Sequence, residues 1–237
     1  MRRCLPILFC LLAGILDAGA TPPKWATFTI ASANLSDNAT QAYGDPGIRI
    51  LQALQPDVLA IQEFNYKLGT SKDLVQRLFG PEYHFAREKG GARLPNGVVS
   101  RYPITAFGQW DDPYVGNRRL FWATVRIPGP KPLHVVSVHL VQNHAERRLP
   151  EARHLLQLIR KQFPEDDYVV LCGDLNVNSR DSTALAALTK WLDDSAQPAD
   201  QTGNKNTNAN RNRPYDYVLP NPALAPYHAP TVLADQK

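Results

Sequence analysis

The chain has 237 residues, 43% hydrophobic, 20% charged and 9% aromatic, with a formal net charge of +4. That length and balance suit a globular protein with a core of ordinary size, and they exclude a wholly disordered, collagenous or coiled-coil chain. Twenty prolines against 14 glycines, with no internal repeat, indicate short elements joined by stiff turns, and the weak positive excess permits an anionic partner without demanding one.

The N-terminus reads as a secretory signal peptide over residues 1–20. Arg2 and Arg3 form a basic start, Leu5 to Leu16 is a mostly apolar run, and Ala18-Gly19-Ala20 offers a cleavage site before Thr21. The run is too short and wrongly flanked to span a membrane. The alternative is an uncleaved anchor. Cys10 lies inside the apolar run, which argues against a lipoprotein. A processed chain would have no transmembrane segment, would be secreted or periplasmic, and would keep Cys172 as its single thiol, with no internal disulfide. Cys172 sits in an apolar run and reads as a small core residue.

In chain order, Trp25 to Ala33 alternates as a strand and Ile48 to Leu54 suits a helix. Val58 to Gln62 is a short apolar strand, and Leu74 to Phe79 suits a second helix. Gly97 to Ser100, Leu120 to Ile127 and Leu133 to Leu140 read as strands. The clearest helix runs from Pro150 to Gln162, with Ala152, Leu155, Leu156 and Ile159 as its apolar stripe and Pro150 in its first turn. Arg147, Arg148, Arg153, Arg160 and Lys161 then form a solvated basic face. Tyr168 to Gly173 is the most apolar strand. Gly203 to Arg213 carries asparagine at 204, 206, 208, 210 and 212; it is an ordered or a flexible polar loop, and composition does not decide between them. Arg213 to Tyr217 enters a last strand. No linker divides the chain, so the pattern predicts one α/β domain over residues 21–237, with packed sheets.

Several of these strands end in a polar residue that a core strand does not need. The first ends Ala33-Asn34, the second Ile61-Gln62-Glu63, and the Leu133 run carries His139. The Tyr168 run ends Gly173-Asp174-Leu175-Asn176, and the last strand opens on Asp216. Singly, each has an ordinary explanation: a surface Glu, a turn-forming Asp, a structural His, a local hydrogen-bond partner. Their joint occurrence at strand ends is what marks a site, because strands fix positions more rigidly than loops.

The ordered set Asn34, PDVLAIQEF, NGVVSRYPI, VVSVHL, VLCGDLNV and RPYDYVL resembles the endonuclease/exonuclease/phosphatase superfamily, the deoxyribonuclease I-like group, over about Trp25 to Leu219. The Asn-rich segment leading into NRPYDYVL is similar to a bacterial exported subgroup. The resemblance implies a four-layer α/β sandwich of two mixed sheets flanked by helices. It also implies phosphoester hydrolysis with a hard divalent cation, usually Mg²⁺, with Mn²⁺ or Ca²⁺ as alternatives. Such ions take oxygen ligands and keep several waters, so one or two side chains suffice.

On that resemblance Glu63 would hold the metal with Asn34 beside it. Asp174 would be the general base, Asn176 would hold the attacking water or a phosphate oxygen, and His139 would donate to a non-bridging phosphate oxygen. Asp216 completes the catalytic set; Arg211 and Arg213 are candidate substrate contacts or parts of a solvated loop, and Gln142 and Asn143 are weaker phosphate contacts. Arg101 reads as a structural ion pair. Asn34-Leu35-Ser36 and Asn38-Ala39-Thr40 match the N-glycosylation pattern, but a glycan on Asn34 would block the site, so both read as chance matches.

The family closes on a strand carrying a histidine paired with the aspartate matched to Asp216. Here residues 231–237 contain none, and His228 lies in a loop-like stretch close to the Asp216 strand. Either the chain is C-terminally truncated or the subgroup lacks this group. Three readings follow: an extracytoplasmic nuclease, monomeric and acting on nucleic acid or another phosphodiester; a sphingomyelinase-like or other phosphoesterase on lipid or sugar phosphates; and a catalytically impaired phosphate-binding remnant. No phosphate-binding loop of the G-x-x-x-x-G-K-[ST] type occurs.

Overall fold

The computed structural model describes residues 27–37 and 39–227. The signal segment, Trp25, Asn38, His228 and residues 231–237 lie outside the described residues. In chain order the elements are β1 (Ile30–Ala33), α1 (Asp45–Leu54), β2 (Val58–Ile61), α2 (Ser71–Phe79), β3 (His84–Arg87), β4 (Gly97–Ser100) and β5 (Ile104–Trp110). Then come β6 (Leu120–Val125), β7 (Leu133–His139), α3 (Ala145–Gln162), β8 (Tyr168–Asp174), α4 (Thr183–Leu188) and β9 (Asp216–Pro220). They form two mixed sheets, ordered β1-β2-β4-β3 and β5-β6-β7-β8-β9.

Three apolar layers hold four layers of structure. Ile48, Leu51, Leu74 and Leu78 of α1 and α2 cover one face of the four-stranded sheet, against Leu59 and Ile61. Ala152, Leu155 and Ile159 of α3, with Ala184 and Leu188 of α4, cover the outer face of the five-stranded sheet, against Val136, Val138 and Leu171. Between the sheets lie Phe28, Ile30, Val58, Ala60, Val135, Val170 and Cys172. This is the four-layer α/β sandwich, and Cys172 is the core residue expected.

The central strands are the ones that sequence reads best. β7 and β8 pair in parallel and are covered on both faces, so they appear as continuous apolar runs. At Gly173 the backbone adopts φ +153°, and a Cβ there would meet the Val138 carbonyl oxygen at 1.9 Å. Only glycine lets the two strands run together to their ends.

α3 departs from expectation, and the Asn-rich segment takes the ordered of its two readings. α3 begins at Ala145, so Pro150 lies inside the helix and not in its first turn. Tertiary bonds to the preceding loop explain the extra turn: Arg148 Nε donates to the Val141 carbonyl at 2.8 Å, and Glu151 accepts from the Val141 N–H at 2.9 Å. Arg148 is therefore buried and does not belong to the solvated face. The Gly203–Arg213 segment is internally hydrogen-bonded. Asn208 Oδ1 accepts from the N–H groups of Asn212 and Arg213, and Asn204 Nδ2 donates to the Arg211 carbonyl at 3.0 Å. Arg101 pairs with Asp57 at 2.9 Å, as the sequence suggests.

Candidate active site

The space between the sheets changes character along the strands. Alternate residues of one strand share a face. On β7 the inward series runs Leu133, Val135, Ser137, His139; on β8 it runs Tyr168, Val170, Cys172, Asp174. From the other sheet come Phe28, Ile30, Ser32, Asn34 and Val58, Ala60, Gln62. At one end the layer is hydrocarbon. At the other it is hydrogen-bonding and titratable, at the same depth.

Register lines up the polar ends. His139 pairs with Asp174 across the parallel β7–β8 ladder, and Asp174 pairs with Asp216 across β8–β9. The sheets are cross-linked just below. Gln62, fully buried, donates from Nε2 to Ser137 Oγ at 3.1 Å, and Ser137 Oγ donates to the Ile61 carbonyl at 3.4 Å. Asn34 Nδ2 donates to Asp174 Oδ2 at 3.2 Å, which joins the two sheets at the site itself.

Glu63 arrives differently. It stands beyond β2 in the left-handed region, at φ +51°, which turns its side chain out of the strand's alternation and into the gap. Ser36 Oγ donates to Glu63 Oε2 and lies 3.5 Å from Asn34 Oδ1. Asn34 thus faces Asp174 with its nitrogen and Glu63's neighbour with its oxygen. The His139 ring sits between two carboxyl groups, with Nδ1 3.8 Å from Glu63 Oε1 and Nε2 3.7 Å from Asp174 Oδ2. Both distances are too long for direct hydrogen bonds. Among the described residues His139 Nδ1 has no partner.

Burial sets the protonation states. It drives His139 well below the ordinary imidazole range, helped by the nearby Arg118 charge, so the ring is neutral and its carboxyl contacts are not ion pairs. Burial raises Asp174 to about 6, opposed by the Asn176 N–H and the Asn34 amide that it accepts from. Asp216 is raised well above the carboxylate range by burial and then by the Asp174 charge, and its Oδ1 has no partner among the described residues. Asp174 and Asp216, adjacent on β8 and β9, therefore titrate as an interacting pair in which the Asp174 charge disfavours ionisation of Asp216.

The exit of β7 rests on buried charged residues that sequence patterning does not flag. Arg118 donates from Nε to the His139 carbonyl and from Nη2 to the Leu140 carbonyl at 2.8 Å. Glu151 and Arg148 hold Val141 from the helix side. The available signal was register: Arg148 and Glu151 fall at helical spacing from Ala152, Leu155 and Ile159, on the apolar stripe.

The remaining expected residues divide. Asn176 lies in the left-handed region at φ +51°; its N–H donates to Asp174 Oδ1 at 2.9 Å and its Nδ2 to the Leu140 carbonyl at 2.9 Å. Its amide nitrogen is thus bound to the backbone, where the sequence suggested a hold on water or phosphate. Arg211 is held within its own loop by Asp200 and the Asn206 carbonyl. Arg213 is exposed and binds Asn178 Oδ1 at 3.1 Å and Tyr215 Oη at 3.0 Å. Gln142 and Asn143 are exposed on the loop after His139.

The donor set suits a hard cation. Glu63 offers a carboxylate, Asn34 an amide oxygen and Ser36 a hydroxyl, grouped by the contacts above. One carboxylate with neutral oxygens fits an ion of the Mg²⁺ kind, which keeps several waters. Among the described residues no group of three or more His, Cys, Asp or Glu is placed to hold a metal ion, so any cation here would rest on Glu63 with neutral oxygens.

Comparison with solved structures returns the same architecture. A hairpin-deletion mutant of beta toxin from Staphylococcus aureus superposes with a TM-score of 0.61 at 16% identity, covering 89% of this chain and 92% of that one. Truncated TDP2 from Caenorhabditis elegans gives 0.62 at 15%, covering 82% and 84%. An endonuclease/exonuclease/phosphatase family protein from Leptotrichia buccalis gives 0.56 at 16%, covering 82% and 88%. At these identities the likeness is one of fold. A search of curated protein sequences gives no match. The family model for endonucleases, exonucleases and phosphatases, however, matches residues 48–235, which include Glu63, His139, Asp174 and Asp216. On that match, with the deoxyribonuclease I-like sandwich around it, the chain belongs to the endonuclease/exonuclease/phosphatase family.

Proposed function

We propose that the protein is a metal-dependent phosphodiester hydrolase, an extracytoplasmic nuclease. The observation that carries the reading is the meeting of two unlike donor sets across one gap. The four-stranded sheet brings the oxygens of Glu63, Asn34 and Ser36; the five-stranded sheet brings His139, Asp174 and Asp216. A divalent cation held by Glu63 and Asn34 would neutralise charge on the phosphate and on the leaving oxygen.

The chain's own groups supply the rest. Asp174, raised to about 6, is ionised at neutral pH yet basic enough to take a proton from water. The Asn176 N–H and Asn34 amide each hold one of its two oxygens, which fixes the orientation of the carboxyl for the incoming water. Neutral His139 carries one N–H, which it donates to a non-bridging phosphate oxygen as charge builds there. Burial and the Asp174 charge oppose ionisation of Asp216, which limits negative charge beside the phosphate. Arg213 and Gln142 lie exposed near the ends of β9 and β7 and contact the backbone of a polymeric substrate.

The basic start and apolar run at the N-terminus support export. Of the aromatic residues on β5 and β6, Phe121 is buried and Trp110 and Trp122 pack on Phe163, while Phe107 is exposed. The test is cleavage of plasmid DNA, RNA and a bis-aryl phosphodiester with Mg²⁺ or Mn²⁺, with sphingomyelin and a sugar phosphate run alongside and Asp174→Asn as control. Nucleic-acid cleavage that Asp174→Asn abolishes is the expected result. Cleavage of none of them, or equal rates in the control, would overturn the reading, and preferential sphingomyelin cleavage would replace nuclease by lipid phosphodiesterase.

A further inference from the structure

The geometry points to Tyr43 as the residue that sets the distance between Asn34 and Glu63, a positioning residue for the cation site. The inference rests on the metal-dependent reading above but makes its own claim about the chain.

Tyr43 lies between β1 and α1, outside every motif that marked the site, and is completely buried among Ile48, Leu51, Ile61 and Phe64. Its hydroxyl does two things at once. It donates to the Ala33 carbonyl at 2.8 Å and accepts from the Leu35 N–H at 3.2 Å. Those are the residues on either side of Asn34. One phenol oxygen therefore fixes the peptide groups that aim the Asn34 side chain. The same residue reaches the other ligand through its backbone. Its N–H donates to the Asn65 carbonyl at 2.8 Å, and its carbonyl accepts from the Lys67 N–H at 3.3 Å. Asn65 is two residues beyond Glu63, in the turn that follows its left-handed backbone. Tyr43 thus ties the Asn34 turn to the Glu63 turn.

The two hydroxyl bonds are not equivalent. The Ala33 carbonyl also accepts from the Gln62 N–H at 3.0 Å, so it keeps a partner without the phenol. For the Leu35 N–H the Tyr43 oxygen is the acceptor that the geometry provides. Removing the hydroxyl alone should release Leu35, and with it Asn34, while leaving the ring in its apolar seat. A residue serving only the core would lose nothing but stability in that exchange. A residue that spaces two ligands would lose affinity for the ion in a protein that is still folded.

The experiment is Mn²⁺ titration followed by electron paramagnetic resonance. It uses the full chain, Tyr43→Phe and Glu63→Gln, with amide hydrogen exchange on the first two. We expect wild-type binding, about tenfold weaker binding in folded Tyr43→Phe, and loss of binding in Glu63→Gln. We also expect the Leu35 amide to exchange at least tenfold faster in Tyr43→Phe, beyond any change shared by the β2 and β8 amides. Mn²⁺ affinity in Tyr43→Phe within twofold of wild type would overturn the proposal. A wild-type chain that binds no Mn²⁺ would instead overturn the metal-dependent reading. The clamp would then be decided by exchange alone, with Leu35 protection equal in the two proteins as the contradicting result.

Discussion

The two halves of the site are built by opposite means. On the five-stranded side, His139, Asp174 and Asp216 belong to strands, side by side in register, and buried polar side chains brace the loop behind them. On the four-stranded side, Asn34 and Glu63 stand just past their strands, where a left-handed turn, a serine and a buried tyrosine aim them. Strand register holds titratable groups where small displacements would change their charge state. Turns can present oxygen ligands at angles that a pleated strand cannot. The comparison teaches that proton chemistry and cation binding should be separable, each failing when its own half is altered.

The largest effect should come from the strand half. Asp174→Asn keeps the shape and removes the base, and turnover of a phosphodiester should fall by about 10²- to 10⁴-fold. Steady-state kinetics at saturating substrate measure it, and a loss under tenfold would remove Asp174 from the role of base.

The next test breaks the register itself. Gly173→Ala places a methyl group 1.9 Å from the Val138 carbonyl oxygen at a backbone angle that disfavours side chains. The two strands must part, at a cost of about 3–5 kcal/mol. Denaturant unfolding should show it, and an unchanged midpoint would mean that β7 and β8 tolerate separation.

The bracing behind β7 should make stability depend on pH. Glu151 is fully buried beside Asp112; burial, then that neighbour, raise it from the ordinary 4.5 to about 9. The folded carboxyl keeps a proton that the unfolded one releases, so this contribution is complete below about 4.5 and is lost as pH rises through about 9. Glu151→Gln keeps an acceptor for Val141 without titrating. Unfolding at pH 5, 7 and 9 should show a fall in wild type that is shallower in the variant by on the order of 2 kcal/mol. Parallel slopes would place the proton elsewhere.

The smallest effect concerns the seam between the halves. Ser137→Ala removes the hydroxyl that meets buried Gln62 and should cost about 1–2 kcal/mol, with metal binding unchanged. A larger loss of Mn²⁺ affinity than of stability would show that the halves are not independent.

Much of the strand half was legible in the sequence. Central strands buried on both faces give unbroken apolar runs, so a terminal His139 or Asp174 stands out against them. Edge strands gave less. β5 is exposed along most of its length and β3 has only one covered neighbour, so neither carried an apolar signal. The turn half was legible only as ligand identities. Nothing in Asn34-Leu35-Ser36 announces that Ser36 touches Glu63, or that Tyr43 binds on both sides of Asn34, because those contacts join segments that only the fold brings together. The pairing of Arg211 with Asp200, eleven residues earlier, is illegible in the sequence for the same reason.

The separation of the halves can be read in one measurement, Mn²⁺ binding by electron paramagnetic resonance to the wild-type chain, Glu63→Gln and Asp174→Asn. Glu63→Gln should lose the ion, and Asp174→Asn, though inactive, should bind it within about threefold of wild type. Equal loss of Mn²⁺ in both variants would contradict that separation and make the two sets of residues a single centre.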